Sequence, residues 1–468
     1  MELTKHFEGK KWEIVYGRYD GMEKRSVDLL YAVLKRYVPY IPEVVTAPTD
    51  RAPRRIYVGT KQSSGFIAEY TKDISFAENE LYYKVGTEEI IISGADESAV
   101  FYSVCAFADD FLPYGANAPA KHINDLAPFI DDFFPAEYRH VPSAKERGLW
   151  TWGHVIFDYK KYIENLARLK MNRVTIWNDV APVNAREVEY AHSWGVKVIW
   201  GFSWGWGEDV NIASDECMRA WGEKALDGWN SQYAATGADG IYFQMFTETS
   251  DSERDGVCIA SAAVKWVNHI SGRILSAHPG LHIEFGLHAT SVRSKLDIIA
   301  GTDPRVDIVW EDCGDFPWGY RASLAGDQKG TLDFTDAITS LRGGNGCGAV
   351  MKGACWLNWS IFANQKAPFV LGVSEEDEII EKLPLRTESM RFQESFWMRN
   401  GEYALEVIRL FCKNTHGNAI ISDLAEDGLF ERRVHLPIAL FAEMCFDCES
   451  DFKTLLSRVS GRSYVNRA

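Results

Sequence analysis

The stretch Gly237–Asp251, GADGIYFQMFTETSD, passes from a glycine-flanked turn through an apolar run into a polar cluster. A buried parallel strand entering a functional loop has this form. Side chains alternate between the two faces of a strand. Ile241, Phe243 and Met245 are wholly apolar and are predicted to face covering helices. Tyr242, Gln244, Phe246 and Glu248 then share the inner face. A Gln and a Glu on the inner face, with the Glu at the carboxyl end, suit the active site of a (β/α)8 barrel. A Glu in a solvated loop is the competing reading, and Gln244 on the same face weighs against it.

Outward from this stretch, strand and helix alternate from about residue 145. Predicted strands are Gly148 to Trp152, Arg173 to Ile176, Val196 to Trp200, Ile241 to Phe246, His282 to Leu287, Val306 to Trp310 and Ala349 to Lys352. Phe369 to Gly372 is the best remaining candidate for an eighth. Helical patterns separate them, as in Tyr159 to Leu169, Val183 to Trp194, Cys217 to Ala235 and Ile259 to Leu275. The alternation and the strand count favour a TIM barrel over a doubly wound sheet. The expected layout is an α/β domain over 1–140, a (β/α)8 barrel over 145–375 and a helical C-terminal region over 376–468.

The N-terminal part alternates short strands with amphipathic helices, such as Glu23 to Val38 and Ala99 to Phe111. RIYVGT, ELYYKVG, EEIIISG and ADESAVFYSVCAFADDFLP lie between Arg55 and Pro113. Together they resemble the small α/β domain that precedes the barrel in family 20 β-hexosaminidases and family 67 α-glucuronidases. The resemblance covers roughly residues 1–140. It implies a non-catalytic domain here and a glycosidase barrel after it.

Composition narrows the function. The chain has 468 residues, too many for one ordinary domain, and 46% of them are hydrophobic, enough for large cores. The net charge of −16 comes without a basic run, which argues against nucleic acid and anionic membranes as partners. No stretch approaches the length of a membrane span, and the start lacks a signal-peptide pattern. The nine cysteines lack paired metal spacings, with a single CxxC at Cys445 and Cys448. Reduced thiols in a cytoplasmic protein are expected. No cofactor is implied, and oligomerisation is left open. Most of the 16 tryptophans fall between residues 150 and 359, and indole faces stack on the apolar C–H faces of sugars. Trp200, Trp204 and Trp206 sit among glycines, so this loop is predicted to line a sugar site.

The predicted strand ends supply the chemistry. Glycoside hydrolysis usually needs two carboxyl groups across the scissile bond, one of them protonated. Glu248 is the candidate acid, a position the resemblance also implies. Its partner is Glu311 or Asp312, in the acidic run after the sixth strand. Candidate substrate-binding residues are Trp152, Trp177, Asp179, Trp204, Trp206, Gln244, His288, Lys352 and Trp356. His288 reads either as a sugar-hydroxyl partner or as a core histidine. Lys352 either binds a substrate carboxylate or pairs with a site carboxylate. His282 and His288 do not read as joint metal ligands, because six strand residues separate them by about 20 Å. In family 20 an adjacent Asp-Glu pair holds the substrate's acetamido group; here Thr247 precedes Glu248.

The expectation is an exo-acting glycoside hydrolase that removes a terminal N-acetylhexosamine or uronic acid from an oligosaccharide or glycoside. A barrel that binds glycans without cleaving them is the alternative.

Overall fold

The computed structural model describes residues 7–117, 132–178, 187–203, 209–311, 327–354, 372, 376–425 and 430–466. Two compact units divide the chain: Met1–Pro142 with Ser193–Gly195, and Ser143–His192 with Val196–Ala468.

The first unit is built on a six-stranded sheet. Its order is Glu43–Val45, Trp12–Tyr16, Arg54–Val58, Glu89–Gly94, Leu81–Val85, Ala136–His140. The pairings are parallel up to Glu89–Gly94 and antiparallel beyond it. Ile14, Ile56, Val58, Ile90 and Ile92 form one face. They pack on Val27, Leu30 and Leu34 of helix Gly21–Leu34 and on Val100 and Val104 of helix Glu97–Ala106. The Asp96 carboxylate starts the second helix by accepting the Ala99 amide at 2.8 Å. A π turn, Phe107–Phe111, extends it to the predicted end.

The second unit contains a closed barrel of eight parallel strands. They are Glu146–Trp152, Arg173–Trp177, Lys197–Ser203, Gly240–Gln244, His282–Leu287, Val306–Trp310, Cys347–Ala354 and Ile420–Ala425, and the last pairs with the first. This is the (β/α)8 class that the alternation predicts.

The eighth strand is a correction. It is Ile420–Ala425 and not Phe369–Gly372, of which 369–371 lie outside the described residues. The boundary expected at 375 therefore falls inside the barrel, in its seventh βα unit. Helix Glu376–Asn414 joins the seventh strand to the eighth instead of starting an appended region. The six-residue strand IISDLA carries Ser422 and Asp423 among apolar residues, and so short a run does not distinguish period two from a helical turn.

Polar and aromatic layers fill the barrel. At the amino-terminal end, Arg173 binds both Glu284 oxygens at 2.7 and 2.8 Å and Glu146 at 3.1 Å. Lys197 also pairs with Glu146, and His282 with Glu284. Burial alone would raise the Glu146 carboxyl; Arg173 and Lys197 outweigh it and bring it down to about 2. Above this layer, Trp150, Trp177, Ile199, Tyr242, Val309, Val350 and Leu424 pack together. No helix among the described residues is long and apolar enough to cross a membrane.

Candidate active site

The carboxyl ends of strands four to seven converge on Glu311. This residue directly follows the sixth strand, and its amide donates to the Leu287 carbonyl of the fifth at 3.0 Å. Its carboxylate is buried. One oxygen, Oε2, accepts from the Tyr242 hydroxyl. The other, Oε1, lies 3.6 Å from Lys352 Nζ and 3.7 Å from His288 Nε2. Gln244 also hydrogen-bonds to this carboxylate. Burial pushes the Glu311 carboxyl up, but Lys352, then His288, then the Tyr242 and Gln244 hydrogen bonds hold it below the usual range. Burial and then the Glu311 charge push the Tyr242 phenol well above its ordinary value, so it stays a donor.

Glu248 also approaches His288. Its Oε2 is 3.9 Å from the same Nε2, and half of its side chain is exposed. The His288 Nε2 atom is itself buried and makes no hydrogen bond among the described residues. Both carboxylates approach the same imidazole nitrogen, so these oxygens lie no more than about 8 Å apart, below the upper limit of about 9.5 Å for paired glycosidase carboxylates. The loop carrying Glu248 is tied to the next loop, where Ser291 Oγ donates to the Thr247 carbonyl at 2.8 Å.

Glycine makes the central pairing sterically possible. A Cβ at Gly286 would lie 2.3 Å from the Tyr242 hydroxyl and 2.9 Å from Glu311 Oε2. Beneath the carboxylate sits an aromatic floor. Trp150 and Trp177 stack at 5.9 Å between centroids, and Trp152 and Tyr242 meet them edge-on. Gly201 admits Trp177, since a Cβ there would fall 2.8 Å from the indole.

The structure thus brings together Glu248, Glu311, Gln244, His288 and Lys352, with Trp152 and Trp177 in the floor. Trp177 is only 1% exposed, its ring taken up by Trp150, Trp152 and Tyr242, whereas Trp152 is partly exposed. Asp179, Trp204, Trp206, Asp312 and Trp356 lie outside the described residues.

Two expectations need correction, the inner face for Phe246 and the sugar-site lining for Trp200. The fourth strand ends at Gln244, so alternation stops there. Phe246 consequently packs edge-on against Trp266 of helix Ile259–Ala277. Trp200 also turns outward, with its indole donating to Thr236 Oγ1 at 3.2 Å and its ring on Tyr233. Helical residues claim both rings, which sequence periodicity does not reveal.

Tyr242, Trp150 and Gly286 are site residues that the sequence reading did not single out. Tyr242 shares its strand face with Gln244 and Trp150 with Trp152, so period two carried a signal for both. At the barrel's other end, donor atoms of Glu146, His282 and Glu284 lie within 4.8 Å of one another. Arg173 and Lys197 already neutralise those carboxylates.

Fold and site together define a (β/α)8-barrel protein with two carboxylates at its carboxyl-terminal mouth. No protein-family model matches the sequence, and no curated protein does either. Among solved structures the chain is similar to a GH138 enzyme targeting pectin rhamnogalacturonan II. The TM-score is 0.54 at 10% identity, over 95% of this chain and 52% of that one. The chain therefore spans about half the length of that enzyme. It is also similar to CpGH84B, with TM-score 0.54 and 10% identity over 96% of this chain and 70% of that one. At such identity the likeness is one of fold.

Proposed function

We propose that this chain is a glycoside hydrolase that removes a terminal sugar, with Glu248 as proton donor and Glu311 as its carboxylate partner. The observation that carries this reading is the pair of carboxylates that both approach His288 Nε2 at the barrel mouth. Their surroundings differ in the sense the chemistry needs. Glu311 is buried, hydrogen-bonded and flanked by the Lys352 ammonium and the His288 imidazole, which favours its ionised form. Glu248 reaches solvent, where it can be reprotonated between turnovers. An ionised Glu311 serves as base toward water or as nucleophile toward the anomeric carbon. Glu248 protonates the departing oxygen. His288 and Gln244 are placed to hold sugar hydroxyls, and Trp152 to take the ring's apolar face.

N-acetylhexosaminides and hexuronides are the terminal sugars proposed. Thr247, which precedes Glu248, is buried and its carbonyl accepts from Ser291, so the adjacent position supplies no carboxylate to hold an acetamido group. This supports a mechanism that uses the protein's own carboxylate, Glu311, for either sugar. The fold likeness to glycoside hydrolases supports the reaction class. The cation Lys352 is engaged by Glu311, which favours the supporting role for it over capture of a substrate carboxylate.

A panel of aryl and natural glycosides tests the proposal. Glu248→Gln should lose about 10² to 10⁴ in turnover of natural glycosides and less on aryl glycosides with good leaving groups. Glu311→Gln should abolish both. Full activity of Glu248→Gln on a natural glycoside would overturn the assignment. A wild-type chain that binds glycans and cleaves none would be a binding barrel.

A further inference from the structure

The seventh and eighth strands run in register up to Met351 and Asp423, and their next partners are Ala354 and Ala425. Three steps on one strand match two on the other, so the extra residue lies in the Lys352-Gly353 pair. Such a bulge bends the strand and re-aims side chains. The main-chain polar groups of Gly353 are met by side chains. Its amide donates to Asp423 Oδ1 at 2.9 Å, and its carbonyl accepts from Trp397 Nε1 at 2.8 Å. The fit leaves no room for a side chain, since a Cβ at Gly353 would lie 2.6 Å from both Asp423 Oδ1 and Trp397 Cζ2. Asp423 comes from the eighth strand and Trp397 from helix Glu376–Asn414, and both are fully buried.

We propose that Asp423 and Trp397 are positioning residues: by gripping Gly353 on both sides they hold the bulge that carries Lys352 to Glu311. Neither residue needs to touch substrate for this role. Val350 lies in the barrel interior, and Lys352 follows on the same face. The grip on Gly353 then sets how far along the barrel axis the Lys352 ammonium reaches. A buried carboxylate accepting an amide proton makes a stronger hydrogen bond than a neutral acceptor. An indole donor on a long, packed helix adds a rigid second point. The consequence for the site rests on the reading of Glu311 as the ionised partner carboxylate.

The test reads the Glu311 carboxyl directly, so that it does not depend on hydrolysis. The groups facing that carboxyl among the described residues are Tyr242, Gln244, His288 and Lys352, with Glu248 also near His288. Isotope-edited infrared spectroscopy of glutamate-labelled protein would follow its protonation in the wild type and in Lys352→Met, Asp423→Ala, Asp423→Asn and Trp397→Phe. Glu311→Gln assigns the band. Lys352→Met should move the titration to higher pH. Asp423→Ala and Trp397→Phe should move it in the same direction by at least half as much. Asp423→Asn retains an accepting oxygen and should stay close to wild type. In a Lys352→Met background, Asp423→Ala and Trp397→Phe should add nothing.

A wild-type titration in folded Trp397→Phe or Asp423→Ala would overturn the proposal. So would an equal shift in the Lys352→Met background. If Asp423→Ala does not fold, Trp397→Phe decides, because it keeps an aromatic ring and removes the donor. Absence of hydrolysis with every glycoside would defeat the proposed function, while the carboxyl titration would still judge the positioning role.

Discussion

Gly286 carries no functional group, yet replacing it should be among the most damaging changes near the site. The Gly286→Ala methyl would sit 2.3 Å from the Tyr242 hydroxyl, 2.5 Å from its Cζ and 2.9 Å from Glu311 Oε2. Real Cβ atoms essentially never approach other heavy atoms below 3.0 Å, so the phenol must retreat by about 1 Å. Tyr242 is fully buried against Trp150 and Trp177 and has little space to yield. Overpacking of this kind costs about 1 to 3 kcal/mol. Displacing a group that orients a reacting carboxylate by about 1 Å can cost about 10²-fold in rate.

Urea unfolding and the kinetics of aryl glycoside hydrolysis would read the two effects separately. A double-mutant cycle isolates the cause. Tyr242→Leu removes the outer ring atoms, so adding Gly286→Ala to it should cost little further stability. The two changes should therefore couple by about 1 to 3 kcal/mol. An undiminished stability in Gly286→Ala, or strictly additive costs in the double variant, would refute this account of the Tyr242–Glu311 pair.

Removing Lys352 as Lys352→Met takes away the largest influence that lowers the Glu311 carboxyl. The acid limb of the kcat/KM profile should then move to higher pH, and an unmoved limb would separate Lys352 from Glu311. At the opposite end of the barrel, Glu284→Gln leaves Arg173 buried without its bidentate partner and should cost about 3 to 5 kcal/mol in denaturant unfolding. The Glu146 carboxyl is lowered on folding, so its contribution to stability is present above its ordinary value of 4.5 and lost as the pH falls towards about 2. Lys197→Met should weaken that acid dependence in unfolding curves taken across this range. Trp177→Ala should cost about 3 to 5 kcal/mol of stability, as deletion of a buried ring does. Trp152→Ala should instead act mainly on glycan affinity measured by calorimetry.

Much of the architecture was legible in one dimension because buried parallel strands and their covering helices impose different periods. Seven of the eight barrel strands lie where apolar runs end in polar residues. The strand of Gln244 and the strand-end positions of Glu248, His288, Glu311 and Lys352 follow from that pattern alone. The eighth strand did not, because it is short, polar in the middle and separated from the seventh by helix Glu376–Asn414. The outward turns of Phe246 and Trp200 were hidden for a related reason. Alternation holds only while the strand lasts, and a ring is claimed by whichever helix packs nearest.

The residue types alone thus determined a barrel with carboxylates, an amide, a histidine and a lysine at one end. Tertiary structure decided their relations. Strands four, five, six and seven are distant in sequence, and only closure of the barrel brings Glu248 and Glu311 to His288 and Lys352 to the latter carboxylate. Strengths of charge interactions depend on separation and burial, and neither is written along the chain. The state of Glu311, the cutaway at Gly286 and the bulge at Gly353 are therefore properties of packing.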